Sequence, residues 1–324
     1  MKEQDRTIPA ARIVLIVALA GVVAACTPEN DTVSEEVAAR RTARSGHTLT
    51  LVYPPWSSEF ASAHLIQAVL QERLGYRVEL EEVSAEEMWR RVATDEADIL
   101  AGAWLPVTHR EYLVQYGPNL DDLGPNLEGA RIGLVVPAVV PGWLTDETGR
   151  TGRELVPLRR IEELGEHAVR FNRRIIGIES GAGIMTRTED VMRAYDLDGQ
   201  YRLVESHERE MLARVSEAVR REEWIVFTGW TPHWIFERYN LRFLEDSLGV
   251  YGGEEAVHTM VRPGLADEYP EVRELLARLN WSPEDLERLM VWIRDDESRD
   301  AYRQALRWMR VNRERVDRWV QGLE

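Results

Sequence analysis

Tryptophan residues stand at the exits of three predicted strands. The three are Trp56 after strand 48–53, Trp104 after strand 98–103, and Trp230 after strand 224–228. The carboxyl ends of strands in an open α/β sheet form the ligand crevice, so we expect these indoles to line one site. The indole face attracts cations more strongly than the faces of other aromatic side chains, and each ring contributes about 0.5–2 kcal/mol. Three such faces suit a quaternary ammonium group, which has no N–H to donate.

A glycine-rich turn, "ESGAGIM", follows the fourth predicted strand end. Gly181 and Gly183 allow positive φ and close approach of a ligand, and backbone amides at a helix start attract anions. The amides of Gly183 and Ile184 would therefore suit a carboxylate. His109, five residues after Trp104, could donate to the same carboxylate. An ammonium pole facing a carboxylate pole predicts a zwitterionic ligand of the betaine type.

Each of these features has an ordinary structural explanation when it occurs alone. A tryptophan near a strand end usually belongs to the core, glycine turns before helices are common, and one histidine is usually structural. We interpret His233 and Trp234 as structural, with Pro232 fixing their turn. We also interpret five further tryptophans as core or packing residues: Trp89, Trp224, Trp292, Trp308 and Trp319.

Strands and helices that would position these residues alternate twice along the chain. The first series has the order βαβαβ. Its strands are "TLTLVY", "YRVELEEV" and "ADILAGAW", and its helices are one over 58–74 closed by Gly75 and one opened by Ser84 and Glu87. Such a series predicts a parallel sheet covered by helices. A second series runs from "RIIGI" to "EWIVFTGW", after the proline-broken strand "ARIGLVVPAVVP". The two series predict two α/β lobes.

We expect the first lobe to comprise residues 47–138 and 256–324, and the second residues 139–255. The tail after residue 264 has helical apolar spacing, as in "LERLMVWI", and should pack on the first lobe. The two chain crossings, near 137–141 and 255–263, would then form the hinge.

The amino terminus has the pattern of an export signal. Three basic residues precede "IVLIVALAGVVAA", a run too short to span a bilayer comfortably. "VAAC", ending at Cys26, resembles the lipobox of bacterial lipoproteins, so residues 1–26 predict a lipoprotein signal and residues 27–46 a tether. The alternative is a plain signal peptide with an incidental cysteine. We expect a periplasmic-side location in the cell envelope, lipid-anchored to a membrane.

Composition excludes several other classes of protein. The 324 residues are 44% hydrophobic, enough for a full core, and the formal net charge of -16 argues against nucleic acid as a partner. The one cysteine permits no intrachain disulfide. No histidine pair has the His-x-x-x-His spacing of a helical zinc site, and no Gly-x-Ser-x-Gly elbow occurs. We therefore expect no metal, no cofactor and no enzymatic activity.

Four segments carry a resemblance to a known family: "GIESGAGIM", "VFTGWTPHWIFERYNLRFLED", "GAWLPVTH" and "NLEGARIGLVVP". They resemble the glycine betaine-binding proteins of bacterial osmoprotectant ABC importers, and the likeness runs from about residue 47 to the end. It implies a two-lobed, type II clamshell fold of the periplasmic binding proteins, which closes on its ligand without catalysis. It also implies delivery of the ligand to an ABC permease with its ATPase.

The resemblance implies the same site residues as the strand-end argument. The aromatic cage is Trp56, Trp104 and Trp230, and the carboxylate ligands are the amides of Gly183 and Ile184 with the imidazole of His109.

Relatives usually have Asp-Pro-Gly before the Gly-Ile pair, where this chain has "IESGAGI", and Pro-Pro before Trp56 is also a departure. Glycine betaine, proline betaine, choline and carnitine all stay open as ligands. Import and ligand sensing for a membrane regulator both stay open as roles.

Overall fold

The computed structural model describes residues 48–145, 151–298 and 300–323. The predictions for the signal segment, Cys26 and the tether lie outside these residues. No helix among the described residues has the length and apolarity needed to cross a membrane.

One half of the sheet is built from strands near both ends of the chain. Its strands are β1 (Thr48–Tyr53), β2 (Arg77–Glu82), β3 (Ile99–Leu105) and β10 (Glu255–Val261), in the order β2-β1-β3-β10. β1 pairs in parallel with β2 and β3, as the predicted βαβαβ series requires. β10 returns antiparallel to β3.

The other half of the sheet comes from the middle of the chain. Its strands are β4 (Asp121–Thr145), β5 (Thr151–Glu154), β6 (Arg174–Ile176), β7 (Arg202–Val204), β8 (Phe227–Thr231) and β9 (Asn240–Phe243). β6 is parallel to β7 and β8, whereas β4 is antiparallel to β5, β8 and β9. This half contains the second predicted series.

β4 belongs to both halves because it changes partner along its length. Ala130 pairs with β10, and Arg131 already pairs with β8. Pro137 does not end the strand as predicted: it lies opposite β9 beside a register shift, an irregular position of the kind that tolerates proline. Two-lobed α/β architecture is thus confirmed, and the exact lobe boundaries stay a prediction.

Two predicted strand ends are wrong by a few residues. Strand 98–103 extends as β3 to Leu105, which pairs with Ala256. Strand 224–228 shifts to Phe227–Thr231, because pairing with β4 continues to Thr231. Trp104 and Trp230 therefore lie inside strands rather than after them.

Helices cover the sheet and begin and end largely as the sequence indicates. Ser84 accepts the amide of Glu87 at one predicted helix start, and Gly75 closes the first helical segment with φ 79°. The α-helices among the described residues are α1 (Ser57–Val69), α2 (Ala85–Ala93), α3 (Arg110–Tyr116), α4 (Leu164–His167), α5 (Gly183–Ala194), α6 (Glu208–Arg221), α7 (Ile235–Arg238), α8 (Leu265–Glu268), α9 (Pro270–Arg278), α10 (Pro283–Asp295), α11 (Ala301–Val311) and α12 (Arg313–Val320).

The tail is helical and packs on the first half of the sheet, as predicted. α10 and α11 both contact α1. Trp308 of α11 is fully buried and stacks on Trp319 with ring centroids 5.9 Å apart. These indoles are core residues. The tail helices pack against α1, and the first turn of α1 faces the site.

Candidate functional site

The three predicted tryptophans surround one small cavity. It has about 270 Å³ of empty space, part of which is open to solvent, and it is lined by Trp56, Trp104, Thr108, Ile132, Ile178, Ile184 and Trp230. The three indoles are 3–5% exposed, although they come from α1's amino terminus, β3 and β8. The structure therefore brings together residues that the sequence separates by up to 174 positions (56 to 230).

The indole faces of the cavity have no arginine over them. Trp56 and Trp230 have ring centroids 6.4 Å apart and planes tilted by 54°, so the rings do not stack flat on each other. Arginine guanidinium groups lie over the rings of other tryptophans, namely Trp224, Trp234, Trp292 and Trp308. Within the described residues no such group lies over a cavity tryptophan.

Two carboxylates hold the cage indoles by their N–H groups. Trp104 Nε1 donates to Glu59 Oε1 at 2.7 Å, and Trp56 Nε1 donates to Glu179 Oε1. Burial raises the pKa of Glu59 to about 7. Sequence reasoning missed both glutamates, because Glu59 in a first helical turn and Glu179 in a turn match patterns of solvated residues.

His109 is buried with one free hydrogen-bonding nitrogen. Its Nδ1 faces two donors, the backbone N–H of Trp104 at 3.2 Å and the indole N–H of Trp89 at 3.4 Å. Nδ1 must therefore accept, and the ring proton resides on Nε2. Nε2 is buried and has no partner among the described residues. Burial lowers the pKa of His109 to about 3, so the ring is neutral at physiological pH.

The imidazole lies beside the cavity rather than in its lining. Its ring centroid is 6.1 Å from that of Trp56, and its neighbour Thr108 contributes to the cavity wall. His109 is thus a neutral, desolvated N–H donor next to the cage, which is the donor type that a carboxylate accepts.

The glycine turn brings free amides to the same cavity. α5 begins at Gly183 with no side-chain cap and no acid in its first turn. Neither Gly183 nor Ile184 donates its amide within the described residues, and Ile184 lines the cavity. A Cβ on Gly183 would lie 2.1 Å from the Thr108 carbonyl oxygen, so only glycine lets the helix start approach this closely. Gly181 has φ +95°, as the sequence predicts, whereas Gly183 does not have a positive φ because it already belongs to the helix.

The two halves of the molecule contact each other beside the cavity. Ser57 at the start of α1 donates its backbone N–H and its hydroxyl to Glu208 at the start of α6. Glu208 is 5% exposed, and its Oε1 lies 3.1 Å from His233 Nε2. The structural interpretation of His233 fits this arrangement. Glu208 is a further residue that sequence reasoning missed.

Further contacts join the two halves. Tyr112 donates its hydroxyl to the Gly181 carbonyl at 2.6 Å, and Arg187 pairs with Glu111. With these contacts, the structure has its two halves held together around the cavity. Among the described residues no group of three metal-ligating side chains is present.

A two-lobed α/β fold with an aromatic cavity between its halves defines the class of extracytoplasmic solute-binding proteins. The family model for the substrate binding domain of ABC-type glycine betaine transport systems matches residues 47–311, and the chain belongs to this family. The predicted family resemblance is confirmed.

Relatives with known structures share the whole fold. Lactococcal OpuAC, closed and complexed with glycine betaine, is 34% identical with a TM-score of 0.75, covering 84% of this chain and 98% of its own. The glycine/betaine/L-proline-binding protein ProX from Borrelia burgdorferi is 32% identical with a TM-score of 0.76, covering 85% and 97%. These neighbours confirm the type II periplasmic-binding-protein fold.

Two further relatives extend the comparison. A choline binding protein in complex with choline is 26% identical with a TM-score of 0.72, covering 85% of this chain and 92% of its own. The glycine betaine/carnitine transport binding protein GbuC of Listeria monocytogenes serotype 1/2a (strain 10403S) is 36% identical over 174 residues. That match covers 53% of this chain and 56% of GbuC, so the chain spans about half the length of this relative.

Proposed function

We propose that this protein captures glycine betaine or a related quaternary ammonium osmolyte and delivers it to an ABC permease with its ATPase. The observation that carries the proposal is the cavity between Trp56, Trp104 and Trp230, whose ring faces have no cationic side chain of the described residues over them. Ring faces attract a methylated ammonium by apolar contact and by their quadrupole. OpuAC, which shares this fold, is complexed with glycine betaine.

The carboxylate of the ligand would be held by three N–H donors. Two are the amides of Gly183 and Ile184, which are free at the start of α5 where the helix dipole also favours an anion. The third is His109 Nε2, which is buried without a partner among the described residues. These donors complete the second pole of a zwitterion site and need no covalent chemistry.

Ligand would bridge the two lobes and stabilise their closure. Trp56, Trp104 and His109 belong to the proposed first lobe, and Trp230 and Gly183 to the second. Only the closed form has the complete site, so bound ligand shifts the population towards closure by its differential affinity. The hinge would lie at the two predicted crossings, near 137–141 and 255–263, although β4 already changes partner between Ala130 and Arg131. A permease can then distinguish the loaded form from the empty one.

Choline binding is the second candidate function. The observation that favours it is the likeness to a choline binding protein in complex with choline. Choline has the same trimethylammonium head, so the same cage would accept it, but it has no carboxylate for His109 and the α5 amides. Carnitine, named in the description of GbuC, has both groups and a longer spacer.

A thermal-shift panel of glycine betaine, proline betaine, choline, carnitine and proline tests this function. Ligand at 100 times its Kd stabilises the folded state by about 2.7 kcal/mol, which corresponds to a rise of roughly 5 °C or more in Tm. We expect the largest rise with a betaine and none with proline, which lacks a quaternary nitrogen. A panel in which no quaternary ammonium compound raises the Tm would refute the proposal.

We further propose that a lipid chain on Cys26 anchors the protein on the periplasmic side of a membrane. Cys26→Ser should leave an unprocessed protein that carries no lipid and is released from the membrane fraction. Metabolic labelling with a radioactive fatty acid, followed by fractionation, measures both properties. Persistent labelling of the variant would rule out Cys26 as the attachment point.

A further inference from the structure

Two indoles of the cavity donate their N–H groups to carboxylates. Elsewhere among the described residues, the indoles that donate use neutral acceptors: Trp89 donates to His109, Trp234 to the Ser57 hydroxyl, and Trp308 to the backbone carbonyl of Asp285. Trp104 and Trp56 instead donate to Glu59 and Glu179. The acidic acceptors are thus confined to the cage.

These two carboxylates have no cationic partner among the described residues. Glu59 is 5% exposed, and the other donors to its carboxylate are neutral, with Ser58 as the side-chain partner. Glu179 Oε2 is buried and unpaired. A buried negative charge without a counter-ion costs several kcal/mol. For Glu59 this cost is the cause of the pKa raised to about 7, and a cation bound beside the carboxylate would lower that pKa again. A protein can carry this cost at a site where a cationic ligand binds, because the ligand supplies the missing counter-ion.

The chain also leaves space for one of these carboxylates. A Cβ on Gly102 of β3 would lie 2.8 Å from Glu59 Cγ. Because Gly102 has no side chain, Glu59 can pass over β3 at this position. Glu59 then accepts the indole N–H of Trp104, which lies two residues further along the strand. The position of Glu59 is therefore built into the packing of α1 on β3 rather than left to a flexible surface side chain.

We propose that Glu59 and Glu179 determine specificity by making the cage select positive charge as well as shape. This inference rests on the proposed function. A carboxylate at the N–H edge draws that proton and leaves the ring face more negative, so the quadrupole attraction for a cation increases. The carboxylate also attracts the cation directly, and this attraction is much stronger in a dry cavity than in water. Trp230 Nε1 has no partner among the described residues. Trp230 therefore contributes apolar contact and a ring face that no carboxylate makes more negative.

Carboxylate-to-amide variants separate this electrostatic role from a merely structural one. Glu59→Gln and Glu179→Gln keep a carbonyl oxygen that accepts the indole N–H, and they remove the charge. Each variant is titrated at about pH 8.5, above the pKa of about 7 of Glu59, with glycine betaine and with its uncharged-head isostere, 3,3-dimethylbutanoate, in which a tert-butyl group replaces trimethylammonium. The isostere is measured by competition against glycine betaine.

We expect each variant to bind glycine betaine about tenfold more weakly, equivalent to about 1.4 kcal/mol, and to bind the isostere as well as before or better. The affinity ratio of the two ligands should thus fall by about tenfold. Glu268→Gln is the matched control, because Glu268 pairs with Arg262 near Asp98, at the opposite end of β3 from Trp104. It should leave the ratio unchanged.

An unchanged ratio in both variants, with both ligands weakened equally or not at all, would overturn the inference. If Glu59→Gln does not fold, Glu179→Gln provides the same test, because Glu179 is only partly buried. Failure of the wild-type protein to bind any quaternary ammonium compound would instead refute the proposed function, so the two failures are distinguishable.

Discussion

Replacing Trp56, Trp104 or Trp230 by alanine is expected to weaken glycine betaine binding by about 1–3 kcal/mol each, or roughly 5- to 150-fold in Kd. Each indole is nearly fully buried against one cavity, so its loss removes both a cation-attracting face and the apolar contact that excludes water. Isothermal titration calorimetry at constant ionic strength measures the change.

Trp292→Ala is the matched control for these variants. Trp292 is a partly buried indole outside the cavity, and the guanidinium of Arg307 lies 4.0 Å above its ring centroid. Its removal should lower the free energy of unfolding without changing ligand affinity. Unaltered affinity in all three cavity variants would dispose of the aromatic cage.

His109→Ala is expected to weaken glycine betaine binding by about 1.5–3 kcal/mol while leaving choline binding nearly unchanged. A hydrogen bond to a charged group contributes about that much, and choline has no carboxylate to accept it. Burial lowers the pKa of His109 to about 3, so the donor is a neutral imidazole at all physiological pH values. Titration of both ligands on wild type and variant gives the comparison.

A second substitution separates donation from packing at this position. His109 Nδ1 accepts the backbone N–H of Trp104, and its loss could disturb Trp104 itself. Asparagine keeps an acceptor near the position of Nδ1 but has no donor at Nε2, so His109→Asn should reproduce the selective loss of glycine betaine. Equal losses for choline and glycine betaine in both variants would show that His109 only supports Trp104.

Sequence patterns predict the lobes and the cage because both depend on local signals. Alternating strands and helices place Trp56, Trp104 and Trp230 at one sheet edge, and the three indoles do line one cavity, although the last two lie within their strands; their role as a cation cage stays a prediction. The error is small because pairing with β10 and β4 extends each strand by only two or three residues past the apolar run.

The acidic residues behind the cage could not be predicted, because their burial depends on contacts between distant segments. Glu179 meets an indole 123 positions away, and Glu208 meets Ser57 151 positions away. Each glutamate has the local pattern of a solvated residue at a turn or helix start. These glutamates lose contact with water only where the two halves meet. Hydrophobic periodicity in the sequence does not indicate contacts between distant segments.

A crystal structure of the protein with glycine betaine tests the central claim most directly. The account predicts one ligand in the cavity, with its quaternary nitrogen within about 6 Å of the ring centroids of all three cage tryptophans and its carboxylate at the amides of Gly183 and Ile184. A ligand bound elsewhere, or density showing the three indoles apart with no ligand between them, would contradict it.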